Sequence, residues 1–407
     1  MRKLKSIVIF GCILLFHGSC KSQNTSTKDN VGLAVVTFNM PVQPGSYDMQ
    51  AYLNDLRTKN VAVVGNHTSL INTTHLVDTL LSYNIRIKKI FAPEHGFRGL
   101  AQAGEKVHSD QDDITGIPIV SLYGKHLKPT ADDLKDIDIV VFDIQDVGVR
   151  FYTYISTLQY VMEACADNGK KLIVLDRPNP NGFYVDGPIL EKPFTSFVGM
   201  QSIPIVYGLT IGEYSTMLVG EKWLDTKKPL DLKIVKCKNY THSTHWFPKV
   251  PPSPNLNSDE SILLYPSVCL FEGTNVSLGR GTTMPFTVIG FPENPKHDFS
   301  FTPHTGIKNY NPPFNDTLCY GFNLKAEAQS IKTNKEIELK WLKMFYELHP
   351  NKIKFFTDFF DKLAGTDKLR LAIINNDSIE SIKKSWQEPL NQYKSIRKKY
   401  LLYEDFR

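Results

Sequence analysis

Polar and charged side chains gather in five short segments of the chain, each of which also contains glycine or proline. The segments are 65–69, 93–99, 143–154, 176–180 and 271–282. Glycine, asparagine, aspartate and proline are the usual residues of turns, so turn chemistry alone explains any one segment. Together the five segments hold carboxylates, imidazoles, guanidiniums and tyrosines in a combination that favours one shared site.

The acids in these segments suit acid–base chemistry on a glycosidic bond. Glu94 follows an apolar run and stands beside His95. A partly buried carboxylic acid keeps its proton to a higher pH, as a general acid at neutral pH requires. Glycoside hydrolysis needs a second carboxylate, for which Asp143 and Asp146 are candidates, and we expect Asp143 to orient water or stabilise the transition state. The alternative for Glu94 is a plain ion pair with Arg98.

Arginine is abundant beside these acids. The four arginines are Arg98, Arg150, Arg177 and Arg280. A guanidinium group binds carboxylate or phosphate through two parallel hydrogen bonds, so the excess predicts a ligand that is itself an anion. Arg150 and Arg280 are our candidates for that contact. Tyr152 and Tyr154 offer ring faces and hydroxyls to a sugar, although alternate positions favour only one of them pointing into the site.

Several other chemistries lack their motifs. No G-x-G-x-x-G follows the first apolar run, and G-x-x-x-x-G-K-[ST], G-x-S-x-G and His-Glu-x-x-His are absent. The sequence therefore predicts no dinucleotide or other cofactor and no P-loop. A looser metal site from His67, His95, Asp143 and Asp176 stays open as an alternative, although our prediction is that no metal is bound.

The polar segments follow short, almost continuously apolar runs that predict buried strands. These runs are 61–64, 87–91, 117–122, 137–142, 171–175, 203–206 and 232–235. Helical patterns lie between them at 73–83, 153–168 and 210–223. The alternation predicts an α/β fold whose mostly parallel sheet carries helices on both faces, with ligands bound beyond the carboxyl ends of the strands.

The rhythm breaks at a proline-rich stretch near residue 246. Beyond it we expect strands at 286–291, 319–324 and 369–374 and helices at 335–348 and 377–400, which together predict a smaller α+β domain. The predicted organisation is a signal segment at 1–19, a tether at 20–30, an α/β domain at 31–284 and a C-terminal domain at 285–407.

The first 20 residues have the order of an export signal. Arg2, Lys3 and Lys5 precede an apolar run too short to span a bilayer, and small residues precede Cys20. The pattern resembles a bacterial lipobox, despite His17 where a leucine-like residue is usual. We expect an exported protein, periplasmic or at the outer membrane, held to the membrane only by a lipid on Cys20.

Composition excludes some classes of partner. The chain has 407 residues, 47 basic against 42 acidic residues and a net charge of +5. This balance does not suit a polybasic nucleic-acid arm or a disordered tail, so no nucleic-acid partner is expected. The widely spaced Cys165, Cys237, Cys269 and Cys319 predict buried single thiols, with no disulfide framework.

The five segments in this order resemble the exo-β-N-acetylmuramidase family, exo-acting peptidoglycan hexosaminidases long catalogued as a domain of unknown function. The resemblance covers about residues 30–407. It implies a Rossmann-like domain joined to a smaller C-terminal domain, with the site in the cleft between them. It also implies release of N-acetylmuramic acid from the non-reducing ends of peptidoglycan fragments, and it assigns the family's proposed catalytic glutamate to Glu94.

The leading hypothesis is therefore an exo-acting muramidase with Glu94 as the general acid. Muramic acid carries a lactyl carboxylate, which agrees with the arginine excess. The residues predicted to bind the saccharide are Asn66, His67, His95, Arg98, Gln145, Asp146, Arg150, Tyr152, Tyr154, Asp176, Arg177, Asn179, Glu272, Thr274, Asn275 and Arg280. A non-catalytic muropeptide-binding lipoprotein and a metal-dependent cell-wall hydrolase are the alternatives. The stereochemical outcome and the oligomeric state stay open.

Overall fold

The computed structural model describes residues 40–98, 110–306 and 311–406. The strands are β1 (Asn60–Gly65), β2 (Leu70–Ile71), β3 (Thr74–His75), β4 (Arg86–Ala92), β5 (Asp110–Gln111), β6 (Pro118–Ser121), β7 (Ile139–Asp143), β8 (Lys171–Leu175), β9 (Leu232–Val235), β10 (Val288–Phe291), β11 (Phe299–Phe301) and β12 (Cys319–Asn323). The α-helices are α1 (Leu53–Leu56), α2 (Leu76–Ser82), α3 (Ala131–Leu134), α4 (Tyr154–Asp167), α5 (Ile211–Gly220), α6 (Asp259–Val268), α7 (Ala328–Asn334), α8 (Lys340–Leu348), α9 (Phe359–Ala364), α10 (Lys368–Ile374), α11 (Ile379–Ser385) and α12 (Gln387–Arg397).

A parallel sheet of six strands, in the order β6-β4-β1-β7-β8-β9, forms the centre of the fold, and the short β5 pairs antiparallel with β6 at one edge. The chain builds one half of the sheet from β1 outward through β4 and β6. It then returns to the centre and builds the other half from β7 through β8 and β9. Loops from β1 and β7 therefore diverge at the carboxyl edge, which is where ligands bind in sheets of this kind.

Both faces of the sheet are buried, as the continuous apolar runs predicted. Successive side chains of a strand point to opposite faces. Val61 and Val63 of β1 pack in the cluster that contains α2, whereas Ala62 and Val64 pack in the cluster that contains α4. The predicted α/β fold with helices on both faces is confirmed.

A second, antiparallel sheet in the order β10-β12-β11 lies in the C-terminal part, together with α7 to α12. The expected strands at 286–291 and 319–324 appear as β10 and β12. This part forms the predicted smaller C-terminal domain, while its exact start at residue 285 stays a prediction.

Two expected strands were wrong. Segment 369–374 is part of helix α10, because Leu369 and Ile373 are buried one helical turn apart while Leu371 and Ile374 are exposed. Segment 203–206 is extended, but it forms only isolated bridges, at Val206. Short apolar runs do not distinguish these conformations by themselves.

The cysteines behave as predicted within the part of the chain that is described. Cys165, Cys237, Cys269 and Cys319 are buried free thiols. The signal segment, Cys20 and the tether lie outside the described residues. Across 40–98, 110–306 and 311–406, no helix is both long enough and apolar enough to cross a membrane.

Candidate active site

A cavity of about 420 Å³ lies where the loop after β4 and the start of α4 face residues 271–286. Most of its polar lining comes from three of the five predicted segments: Glu94, His95, Tyr152, Thr153, Glu272, Thr274 and Arg280. Aromatic side chains supply much of the remaining wall: Tyr123, Phe151, Phe197, Tyr265, Phe271, Phe286 and Phe359. A largely apolar cavity with a few convergent polar groups is typical of a small-molecule site.

The half-buried carboxylate of Glu94 is held from the start of helix α4. Thr153 Oγ1 donates a hydrogen bond of 3.0 Å to Glu94 Oε2. Thr153 is the N-cap residue of α4, but its hydroxyl makes no capping hydrogen bond. The turn after Glu94 is unusual, because His95 has φ +72° and Gly96 has φ +74°. A left-handed histidine is strained backbone of the kind that clusters at functional sites.

Arg98, the ion-pair partner that the alternative for Glu94 required, does not line the cavity. Its Nε and Nη2 donate to Asp112 at 2.9 and 2.8 Å, and Nη1 lies 3.6 Å from Asp78. Glu94 therefore lies in the cavity without Arg98, together with other residues of the predicted segments.

The second carboxylate that the cavity contains is that of Glu272. Arg280 donates to its Oε1 through Nε at 3.0 Å and Nη2 at 2.5 Å. The guanidinium carbon of Arg280 also lies 4.9 Å from the centre of the Phe286 ring. Both charged residues are half-buried, so a negative and a positive group stand together on the wall formed by residues 271–286.

Asp143 occupies a different position, at the end of β7. Its side chain is fully buried and binds Arg177, whose Nε and Nη2 lie 2.6 and 2.9 Å from the two carboxylate oxygens. Neither residue lines the cavity that contains Glu94. The structure therefore does not bring Asp143 together with Glu94, and its catalytic role stays a prediction.

Arg150 also does not line this cavity. Its guanidinium is fully buried and donates to the carbonyl oxygens of Pro188, Ile203 and Leu363 at 3.0, 2.7 and 2.8 Å. Burial lowers the pKa of Arg150 to about 9. Of the two arginines predicted to hold an anion, only Arg280 faces the cavity.

Side chains after β1 and just before α4 fix the proline-rich segment beside the site. Tyr152 Oη donates to the carbonyl oxygen of Pro252 at 2.9 Å, and His67 Nε2 lies 2.8 Å from that of Pro251. The Asn66 amide donates to Tyr154 Oη at 3.0 Å. Tyr152 lines the cavity, whereas Tyr154, the first residue of α4, does not.

Several other predicted binding residues are buried in hydrogen bonds at the carboxyl edge of the sheet. Asp146 accepts from the Tyr207 hydroxyl and from the Gly148 amide, and Asn179 donates to the Leu209 carbonyl. Gln145 and Arg177 line a separate cavity.

Asp176 and Asn275 also lie outside the cavity lining. Asp176 accepts from Thr210, Gly212 and Tyr403. Asn275 is exposed. The polar residues at this edge thus split between structural and cavity-lining roles.

Sequence reasoning missed Thr153 and the aromatic wall. Thr153 lies inside the segment 143–154. Its hydroxyl group and its position next to Tyr152 were the features of the sequence that could have identified it. The alternative metal site receives no support, since the described residues contain no group of three or more histidine, cysteine, aspartate or glutamate side chains arranged to hold a metal ion.

Comparison with known proteins gives consistent matches over almost the whole chain. The N-terminal family model of exo-β-N-acetylmuramidase NamZ matches residues 61–260, and the C-terminal model matches residues 263–403. The peptidoglycan β-N-acetylmuramidase NamZ of Bacillus subtilis (strain 168) is 39% identical, with 98% of each chain covered.

Two crystal structures of DUF1343-family proteins from Bacteroides fragilis are also similar. One is 44% identical with a TM-score of 0.84, covering 90% of this chain and 100% of its own. The other is 29% identical with a TM-score of 0.73, covering 89% and 99%. The resemblance drawn from the five segments is confirmed: this chain belongs to the exo-β-N-acetylmuramidase family of glycoside hydrolases.

Proposed function

We propose that the protein is an exo-acting glycoside hydrolase that releases N-acetylmuramic acid from the non-reducing ends of peptidoglycan fragments. The observation that carries the proposal is a single cavity lined by two glutamates and an arginine, Glu94, Glu272 and Arg280. The Bacillus subtilis relative supports the choice of substrate, because its name describes a peptidoglycan β-N-acetylmuramidase.

Glu94 is the general acid in this proposal. Its proton passes to the glycosidic oxygen as the bond from that oxygen to the anomeric carbon breaks. The Thr153 hydroxyl binds Oε2 and so fixes the orientation of the carboxyl group. A proton donor that is already oriented loses less rotational entropy when the transition state forms than a freely rotating donor does.

Glu272 is the better candidate for the second carboxylate. Arg280 binds one of its oxygens twice, which holds the group as an oriented anion beside the apolar wall. Such an anion stabilises the positive charge that develops on the sugar ring, and it either accepts a proton from the attacking water or bonds to the anomeric carbon. Asp143 acts differently in this scheme: its carboxylate positions Arg177, and its backbone carbonyl accepts a hydrogen bond from the Ser69 hydroxyl in the loop after β1.

Arg280 also explains a preference for muramic acid. The lactyl ether of that sugar carries a carboxylate, and Arg280 is a cation on the cavity wall. A guanidinium group binds carboxylates through paired hydrogen bonds, which a lactyl carboxylate in this cavity would accept. Glu272 and the lactyl carboxylate would then share one arginine, which couples substrate recognition to the catalytic carboxylate.

Assays of Glu94→Gln and Glu272→Gln on two substrates test the proposal. One substrate is a nitrophenyl glycoside of N-acetylmuramic acid, and the other is its disaccharide with N-acetylglucosamine. Removing a general acid costs roughly 10²- to 10⁴-fold in kcat. Nitrophenolate is a good leaving group that needs little protonation by an acid. The kcat of Glu94→Gln should therefore fall more on the disaccharide than on the nitrophenyl glycoside. The kcat of Glu272→Gln should fall by a similar factor on both substrates.

Glu388→Gln is the matched control, because Glu388 is an exposed residue of α12. If Glu94→Gln keeps most of the wild-type kcat on the disaccharide, Glu94 is not the general acid. Sugar binding without turnover over hours in the wild-type protein favours the non-catalytic alternative. Activity lost in EDTA and restored by a divalent metal favours the metal-dependent one.

We also propose that the protein is exported and held to a bacterial membrane through a lipid on Cys20. The support is the order of basic, apolar and small residues before that cysteine. Metabolic labelling with a fatty-acid analogue should modify the wild-type chain and not Cys20→Ala. Equal labelling of both chains would exclude this attachment site.

A further inference from the structure

A second cavity, of about 460 Å³, lies at the carboxyl edge of the central sheet, beside the cavity that contains Glu94. Thr68, Gln145 and Arg177 line its base, and each follows a different parallel strand: β1, β7 and β8. Residues 246–250 and Tyr47 line other parts of it. This is the crevice in which doubly wound folds bind their ligands.

Gln145, which lines this cavity, carries an unpaired hydrogen-bond acceptor. Its side chain is 1% exposed, and Nε2 donates to the carbonyl oxygens of Asp146 and Pro178, both at 2.8 Å. These two bonds use both amide hydrogens and fix the orientation of the group. Within the described part of the chain, Oε1 of Gln145 is buried and has no hydrogen-bond partner. Buried acceptors are normally paired, so this one indicates a ligand that supplies an N–H or O–H donor.

A nucleotide, the usual ligand of this crevice, does not fit. Phosphate recognition there depends on backbone N–H groups at the turn after the first strand. In this protein the N–H groups of Asn66, Thr68, Ser69 and Leu70 already donate to acceptors within the same loop. Arg177 is likewise bound by both oxygens of Asp143. The charges of Asp143 and Arg177 therefore balance at the base of the cavity, which suits an uncharged polar ligand there, while the exposed Lys249 lies elsewhere in the lining.

The walls complete the description of that ligand. Tyr47, Trp246 and Phe247 are half-buried aromatic residues that line the cavity. Aromatic faces pack against the C–H face of a sugar ring, and a buried amide oxygen accepts a hydrogen bond from an acetamido N–H or a hydroxyl. A purely apolar ligand would leave that oxygen unpaired.

The two cavities are neighbours along one segment of chain. Val250 lines the second cavity and Ser253 lines the cavity of Glu94. The two residues between them are fixed through their carbonyl oxygens, Pro251 by His67 and Pro252 by Tyr152. A ligand in the second cavity thus lies against the same rigid segment that borders the reaction.

We propose that the second cavity is a saccharide-binding site that takes an N-acetylated amino sugar. The choice of sugar rests on the proposed function, because amino sugars of this kind are the other component of peptidoglycan fragments. The acetamido N–H or a hydroxyl binds Gln145 Oε1, and the ring packs on Trp246. The site would retain the fragment while the cavity of Glu94 acts on its end.

Calorimetric titration of the full chain with free N-acetylglucosamine tests the site. Trp246→Leu keeps apolar bulk but removes the ring, and it should raise the Kd at least about fivefold, within the range that aromatic contacts contribute. Trp223→Leu is the control, because Trp223 is also half-buried but lies outside both cavities. Glucose, which lacks the acetamido group, should bind more weakly than N-acetylglucosamine.

Two results would overturn the site: no binding of the sugar to the wild-type chain, or equal binding by Trp246→Leu together with complete displacement of the sugar by N-acetylmuramic acid. The last result would place the sugar beside Glu94. The monosaccharide has no glycosidic bond, so its binding does not depend on catalysis. Failure of the proposed function appears separately, in the hydrolysis assays.

Discussion

The hydroxyl of Thr153 donates to Oε2 of Glu94 across a distance of 3.0 Å, which joins the N-cap residue of α4 to the loop after β4. Helix α4 is almost entirely buried, so the position of Thr153 is fixed by the core of the protein. The orientation of the proposed general acid is thereby determined by a rigid helix and not by its own loop.

Replacing Thr153 with valine should therefore lower activity without unfolding the protein. Valine keeps the shape of threonine and removes only the hydroxyl, which makes no helix cap. A hydrogen bond to a carboxyl group contributes about 1.5 kcal/mol, so kcat/KM should fall about tenfold. Thr216→Val, on α5 and away from the cavity, is the control, and equal kcat/KM in both variants would show that the contact does not matter to catalysis.

Substitution of Arg280 should change substrate specificity, whereas substitution of Arg150 should change stability. Arg280→Gln removes the cation on the cavity wall, so the ratio of kcat/KM for N-acetylmuramic acid over N-acetylglucosamine nitrophenyl glycosides should fall at least about tenfold. Arg150→Gln should instead lower the free energy of unfolding, because its guanidinium binds three buried carbonyl oxygens. A specificity ratio that responds to Arg150 and not to Arg280 would reverse the assignment.

The sequence predicted the fold well because its strongest signals are regular. Buried strands such as β7 are apolar at every position, and the loops that follow them must meet at one edge of the sheet. The same argument predicted that Glu94 and Glu272 belong to one site, since both stand in polar segments.

The partners of each side chain could not be predicted in this way. The residue types of Asp143, Arg150 and Arg177 suit a reactive site. In the structure, however, their charged groups bind other groups of the protein, and only interatomic distances distinguish this structural role from a catalytic one. Strand spacing fixes which residues share an edge and does not fix which of two neighbouring cavities a side chain faces. Thr153 was missed for the same reason: its role depends on a contact between segments 59 positions apart.

Asp143 should prove more important for stability than for chemistry. Asp143→Asn leaves the buried guanidinium of Arg177 without its anion, and breaking such a pair costs about 3–5 kcal/mol. Denaturant unfolding should show this loss, while kcat measured on the folded fraction should fall less than for Glu94→Gln. Wild-type stability combined with a kcat loss as large as that of Glu94→Gln would restore Asp143 as the second catalytic group.

Asp146 should make the stability of the protein depend on pH. Burial raises its pKa to about 7, although the Tyr207 hydroxyl and backbone N–H groups, which favour the carboxylate, oppose the shift. The unfolded chain has an ordinary aspartate, so the folded state holds this proton more tightly. The stabilisation is complete below the unfolded pKa of about 4 and is lost as the pH rises toward 7.

Asp146→Asn removes this titration and preserves the shape of the side chain. An asparagine Oδ1 accepts from Tyr207 and Gly148 in place of the carboxyl oxygen that does so now. The unfolding free energy of the variant relative to the wild type should therefore increase between pH 4 and pH 7, by at most about 1.4 kcal/mol per pH unit. Denaturant titrations at pH 4.5, 6 and 7.5 measure the difference, and parallel curves for the two proteins would show that Asp146 does not keep its proton in the folded state.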